Sequence, residues 1–473
     1  MAASENKYSG MWVFPSAEGM TRDVAAKMAA TPRIFPLVMT AAGVLFILGI
    51  IGFIVRAVDD GFDDYAAWGY YAAIFSMVFM VAGAAPLAAV AFRLTKSHWR
   101  RPLSRISEMF AVLGIFSTLM LIPLMIAMPA INNTEFVVGS ESMEIRRTIW
   151  FEVPIGAPLS WDILGLVFLT ICGLGILWLS ALPDLAECRL TATGFRARIY
   201  RLLSGHWFGT KRQWNTQKAG LAILGGFYFM LLIFVQFVIV SDYAMSLVPG
   251  WKDSILPPLY TLTSLQSSLG AILIILFILR RWGGYGEYIG VAPFWSASKI
   301  LLGLTLLWVY HTFAFFITFW FGRLEVEQNI IKYLFIESYG GAFAANLFFS
   351  FAVPFLILLW NPVRKTAWGP ALAGLSALGG AFIFNIRMFV GSFNATDGQE
   401  IFNVGLARVP GPTYPDVFDV FMVIGGIGAA IFIYLLATKI VPILSVWETK
   451  EGAKYQKMGT LIKGEYLILA KPE

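Results

Sequence analysis

Read for hydropathy, the chain is a succession of long apolar runs separated by polar stretches. A hydrocarbon core about 30 Å thick is crossed by about 20 apolar residues in helical conformation, and ten runs reach that length. They lie near 36–55, 66–92, 110–131, 161–181, 219–240, 256–279, 297–321, 340–359, 370–390 and 417–438. Runs of this length exceed any ordinary strand, so the expected fold class is an all-α polytopic membrane protein. Spans two to five and six to nine are expected to form two four-helix bundles, flanked by spans one and ten. Residues 1–35 then form an N-terminal tail, 36–441 a ten-helix membrane domain, and 442–473 a C-terminal tail.

Between the runs, 132–160 alternates enough to predict a hairpin, and 182–218, with "RARIYRLLSGHWFGTKRQW", reads as an interfacial amphipathic segment. The glycines of "RWGGYGEYIG" lack the preceding strand that a phosphate loop requires, so this stretch is expected to be a flexible connection between the two halves. The tail "GTLIKGEYLILAKPE" is expected to form a short strand or to dock on a partner.

Composition agrees with the pattern: 58% of the 473 residues are hydrophobic and the mean hydropathy is +0.71. Charge adds an orientation. The tails and the loops after even-numbered spans carry 25 Lys and Arg, the other loops 7, which by the positive-inside rule places both termini in the cytoplasm. The net charge of +6 is thus a topological signal, with no span-free basic domain to hold a nucleic acid. No small-residue cleavage pattern precedes the first span, so it is expected to be retained.

The three histidines, His98, His206 and His311, offer no pair on facing spans to ligate a haem. The two cysteines, Cys172 and Cys188, cannot hold an iron-sulfur cluster or a metal cage. The chain is therefore expected to bind no redox cofactor of its own, and any metal centre of an electron-transfer system belongs to partners.

Polar groups inside the apolar runs carry what remains, because an acid at a helix centre costs roughly 2.5 to 3.5 kcal/mol on insertion. With the termini inside, Asp162 at the start of span four and Asp242 at the end of span five fall at the same, outer level. Gln236 lies just within span five. Glu325, Arg387, Asp416 and Asp419 also fall on the outer side. His311, Thr318 and Glu325 are spaced by seven, which on one continuous helix keeps them within about 40° over roughly 21 Å of depth. Such a stripe, with Arg387 and Asp419 near its outer end, could relay protons between the membrane interior and the outer face.

Several phrases around these residues resemble the membrane subunits of the polysulfide reductase, or NrfD-like, family, above all the larger such subunit of alternative complex III. They are "WRRPLSRISEMFAV", "APLSWDILGL", "LPDLAECR", "SDYAMSLVPGWKDSILPPLY", "NIRMF" and "VPILSVWETKEG", in the family's order. The resemblance implies two four-helix bundles and a place in a respiratory complex of a bacterial cytoplasmic membrane. It also implies partner iron-sulfur or other redox subunits on the outer side, further membrane subunits, and menaquinol or another quinol as the exchangeable ligand. Asp162 and Asp242 match acids that the family places near the outer quinone site or proton exit. The chain departs from the pattern in three places. Span three, "LGIFSTLMLIPLMIAMPAI", has no histidine, Gln236 stands where relatives often carry one, and "RMFVGS" puts Arg387 at a glycine position and lacks the usual acid and base.

Four functions follow. The first is a subunit without redox cofactors that couples electron flow in partners to proton movement, with quinol oxidation at Asp162, Asp242 and Gln236. The second is a quinone-independent version, as in organohalide-respiration complexes. The third is a plain anchor for a redox enzyme, indifferent to neutralising the acids. The fourth is a secondary transporter, for which matched helix breaks in the two halves are lacking.

Overall fold

The computed structural model describes residues 19–30, 32, 34–128, 132–138, 141–144, 157–189, 192, 194–395, 406, 408–461 and 464–469. The chain is an all-α polytopic membrane protein with ten helices long and apolar enough to cross a bilayer. Spans one to five are Ile34–Asp59, Tyr65–Leu94, His98–Ala127, Ser160–Cys188 and Lys211–Leu247. Spans six to ten are Leu256–Arg281, Ala292–Gly322, Gly340–Leu359, Trp368–Asn394 and Val417–Ala437.

Spans two to five pack around one another, as do spans six to nine, and the two groups meet where spans two and five face spans six and nine. Span ten packs on span two, and span one packs on span ten, so both flanking helices lie against the first group. Backbone contact holds these pairs. A Cβ on Gly425 of span ten would stand 2.2 Å from the Cα of Gly49 in span one, and a Cβ on Gly270 of span six 2.5 Å from the carbonyl oxygen of Gly374 in span nine. Apolar surface gains nothing by meeting apolar surface inside lipid, so this close approach, with the dispersion contacts it allows, supplies the attraction.

Hydrogen bonds tie the two groups together. Tyr260 donates to Ser76 Oγ (2.7 Å), which donates to Asn385 Oδ1 (2.6 Å), while Asn385 Nδ2 bonds the Ala381 carbonyl (2.8 Å). Gln236 Nε2 donates to Ser264 Oγ (2.5 Å), and Ser264 donates to the Met80 carbonyl (2.7 Å).

An even number of spans brings both terminal segments to one end of the bundle, here the terminal end, the other being the far end. There the helix Met20–Ala29 reaches span four through Thr21 Oγ1 on Glu187 (2.8 Å), and the helix Val446–Lys454 reaches the same carboxylate through Lys450 Nζ (2.6 Å). Two short antiparallel hairpins are added: β1 (Asn132–Val138) with β2 (Glu141–Glu144), and β3 (Gln456–Leu461) with β4 (Gly464–Leu469). The first matches the alternation of 132–160 and the second the strand expected in the tail.

The connection after span six differs from its sequence expectation. Tyr285, Tyr288 and Ile289 are buried, Arg280 bonds the Ile289 carbonyl, and Tyr288 donates to Asp23 (2.5 Å). Its glycines serve a tight turn, with Gly284 at φ +78°, and the aromatic residues between them pack the loop down.

Candidate functional site

Antiparallel spans four and five set the geometry of the two acids. Gly165 faces Val235, Gly173 faces Tyr228, and Gly220 faces Leu179. This register puts Asp162 opposite residue 238, so Asp242 is four residues, about 6 Å, further along. Asp242 is seven residues from Val235 and therefore within about 20° of the face turned toward span four. Both acids are 1% exposed and neither is free of interactions. Beyond Asp242 the chain turns inward rather than into solvent, with Val248 and Trp251 buried and Gly250 at φ +73° making the turn.

Gln236 is placed elsewhere. It is completely buried, but it points to span six and the joint between the two groups, six residues and about 120° around the helix from Asp242. The structure brings Asp162 and Asp242 to one region and separates Gln236 from them.

Below Asp162 the interior of the first group continues along one stripe of span four through Leu166, Leu169, Thr170 and Gly173. These residues line a cavity of about 10 Å³ together with Phe79, Gly83, Ala111, Gly114, Ser117 and Tyr228. That volume is at the threshold for one water molecule. Its hydroxyls have local bonds: Tyr228 to the Gly83 carbonyl (2.6 Å), Ser117 to the Leu113 carbonyl (3.1 Å), and Thr170 paired with Thr118 (3.2 Å).

At the terminal end of the same interior lies a buried ionic network that the sequence reading missed. Met109–Val112 forms a 3₁₀ turn, in which residues three apart eclipse, so Glu108 sits about 6 Å beyond the cavity-lining Ala111. Glu108 accepts from Arg93 (2.6 Å) and from Arg105 (3.3 Å). Arg105 also bonds Asp184 (3.0 Å) and the Ser180 carbonyl (2.8 Å). Glu448, from the C-terminal helix, accepts from Arg93 (2.9 Å) and Arg100 (2.7 Å), and the Trp447 amide caps Asp184 (2.9 Å). Three carboxylates and three guanidiniums balance, as groups this deeply buried must. Burial would push the Glu448 carboxyl up, but the charges and hydrogen bonds of Arg100 and Arg93 outweigh it and hold it down at about 2.

The network was legible in part. Arg105 and Glu108 stand three apart, and Asp184 closes an apolar span, but in the sequence the arginines read only as loop charges that set orientation. Arg93 and Arg100 meet a carboxylate, Glu448, from a C-terminal helix far away in sequence, 355 residues from Arg93.

The remaining expected site residues lie apart from this interior. His311 Nδ1 is 3.0 Å from the Leu307 carbonyl and Thr318 donates to Ala314 (2.8 Å), both on their own helix, with Thr318 on the outer surface. Span seven ends at Gly322 with Arg323 in the left-handed region (φ +48°), and Glu325 opens a separate short helix. The continuous stripe expected from the spacing of seven is therefore broken before Glu325, whose side chain lies outside the described residues. Arg387 is buried in the second group on a π-helical turn, Ile386–Val390. It is 4.5 Å from the Phe335 ring centroid and 5.1 Å from that of Phe343, donates to the Leu334 carbonyl (3.3 Å), and makes no ion pair among the described residues. Asp419 closes a capping box with Asp416, and Arg56 of span one bonds both, at 2.8 and 2.7 Å. Those bonds join spans one and ten.

Compared with protein-family models and with curated proteins, the chain matches none.

Proposed function

We propose that this chain is an integral membrane subunit of a multi-subunit respiratory oxidoreductase complex, in which the first four-helix group moves protons while partner subunits carry the redox centres. One observation carries the reading: a single four-helix interior holds buried acids at the far end, a water-sized cavity midway, and a buried carboxylate-arginine network at the terminal end. Asp162 stands one helical turn, about 6 Å, from Leu166 at the cavity wall, and Glu108 one 3₁₀ turn from Ala111 at the same wall. Each gap is within reach of one or two transient waters. The apolar lining between stations keeps the route closed at rest, so a change in a partner's redox state has something to open.

In this reading the far end faces outward and both termini are cytoplasmic, in a bacterial cytoplasmic membrane, which the asymmetry of Lys and Arg supports. Asp162 and Asp242 exchange protons with the outer side. The small cavity and the engagement of Gln236 with Ser264 favour the quinone-independent version over a quinol site between spans four and five.

Replacing Asp242 with Asn tests the proposal. Amide and acid have nearly the same shape, so the complex should assemble, but the amide cannot cycle a proton near neutral pH. Proton translocation is expected to drop at least about tenfold, or roughly 1.4 kcal/mol on the limiting step. Unaltered turnover and proton-to-electron ratio in assembled Asp242→Asn and Asp162→Asn complexes leave the chain as an anchor.

A further inference from the structure

At the terminal end, the start of span seven and the turn between spans eight and nine bring two cations onto one aromatic ring. Trp295 stands in the first turn of span seven, and Lys299, one turn deeper, bends its chain back so that the ammonium lies 3.9 Å from the Trp295 ring centroid. Lys365 reaches the same ring from the other element, with its ammonium 5.4 Å from the centroid. The turn that carries Lys365 is closely built. The helix Asn361–Arg364 ends in it, Thr366 Oγ1 donates to the Val363 carbonyl (2.7 Å) and accepts the Gly369 amide (3.1 Å), and a Cβ on Gly369 would stand 2.6 Å from the Val363 carbonyl oxygen.

Neither lysine, nor the adjacent Arg364, makes an ion pair among the described residues, and Arg364 Nε is buried there without a hydrogen-bond partner. The sequence explains why. It has no Asp or Glu between Glu287 and Glu325, or between Glu337 and Asp397, so the elements that carry these cations supply no acid. The indole attracts each ammonium, but like charges on one ring repel until an anion completes the arrangement. The surroundings set the level of that anion. Trp360 follows span eight and Trp368 opens span nine, 62% and 51% exposed, as residues of a membrane–water interface are. One turn inside them, Leu356 and Leu372 turn outward into the hydrocarbon.

We propose that Lys299 and Lys365, gathered at the Trp295 indole, bind the headgroup phosphate of an anionic phospholipid, whose acyl chains run down past Leu356 and Leu372. Both flexible lysine chains close on one phosphate, whose oxygens accept charge-assisted bonds of about 2.7–2.9 Å. The occupant is a lipid because the cations stand among interfacial tryptophans with bare leucines beneath, where each basic residue adds attraction to an anionic leaflet. A zwitterionic headgroup is disfavoured because it brings its own cation to a patch that already holds three.

The full chain, purified in detergent with any subunits that accompany it, is titrated with phosphatidylglycerol or phosphatidylcholine, and bound lipid is counted by native mass spectrometry. The first phosphatidylglycerol is expected to bind about tenfold or more tighter than the first phosphatidylcholine, and Lys299→Gln combined with Lys365→Gln to remove that preference. Arg198→Gln combined with Arg201→Gln takes the same charge from exposed positions of another helix at this end, Gly194–Ser204, and is expected to leave it. Both lysines are exposed, and should their double variant fail to fold, Lys365→Gln alone should still lower the preference by roughly threefold or more. No preference in the wild type, or one that survives the lysine substitutions, overturns the proposal. An equal loss in the arginine variant does so too, because net charge alone then sets the preference. So does inorganic phosphate raising the melting temperature as much as phosphatidylglycerol does, since the acyl chains then contribute nothing.

Discussion

Asp253, in the far-end turn between spans five and six, shows how a single buried carboxyl makes the fold sensitive to pH. It is 7% exposed, its Oδ1 accepts the Ile255 amide (2.7 Å), and Oδ2 has no partner among the described residues. Burial raises its pKa to about 6, opposed by the Ile255 and Leu256 amides and aided by the nearby charge of Glu327. A raised acid holds its proton more tightly folded than unfolded, so its effect on stability is lost as pH rises from about 4 to about 6 and is flat above that. The difference corresponds to on the order of 3 kcal/mol. Asp253→Asn, which keeps the acceptor for Ile255, is expected to be more stable than the wild type at neutral pH and equal to it near pH 4, as thermal unfolding against pH will measure. The same reasoning separates Asp162 and Asp242 from Asp419: the first two stand in a shared interior, whereas Asp419 is tied to Arg56 and its own helix end.

At the scale of elements, the contact of spans one and ten rests on small residues and one ionic clamp. Gly49, Gly425 and Gly428 let the two backbones touch, and Arg56, which also bonds Asp60 (2.8 Å), fixes the far end. A Cβ on Gly425 has no room, so Gly425→Ala must push span one outward. Such overpacking costs about 1 to 3 kcal/mol. The expected readout is a lower melting temperature together with loss of a cysteine crosslink engineered between spans one and ten. Unchanged values on both counts would show that this contact is not tight.

At the scale of the whole molecule, the terminal end is closed by segments from both ends of the sequence. The C-terminal helix contributes Glu448 to the network in spans two and three, and the N-terminal helix shares Glu187 with Lys450. Removing one partner from a buried network leaves the others uncompensated, so Glu448→Gln is expected to destabilise by roughly 3 to 5 kcal/mol. Because its folded pKa is depressed, Glu448 contributes its stability above about pH 4.5 and loses it as pH falls toward 2, so the variant should lose the wild type's acid transition in that window. Orientation also belongs to this scale. In a variant with Cys172 and Cys188 replaced, a thiol introduced at Asp63 on the far end should react with an impermeant reagent in intact cells, and one at Lys96 only after permeabilisation. The reverse pattern overturns the assigned direction.

The sequence by itself determined the ten spans, the shared end of the two terminal segments, the matching level of Asp162 and Asp242, and the hairpin after span three. Each follows from a one-dimensional quantity: the length of an apolar run, the parity of crossings, the distance of a residue from a span's end, or an alternation of period two. Tertiary structure decided which faces meet. Spacing of seven aligned His311, Thr318 and Glu325 only while the helix continued, and the left-handed turn at Arg323 ended it. Gln236 and Asp242 share one span, yet 120° of helical rotation sends them to different neighbours. Arg93, Arg100, Arg105, Glu108, Asp184 and Glu448 come from four separate segments, and their charges balance only after those segments pack. Hydropathy is a sum along the chain, so it survives in the sequence. The pairing of buried charges depends on the rotation and depth of each helix against its neighbours, and only the folded bundle sets those.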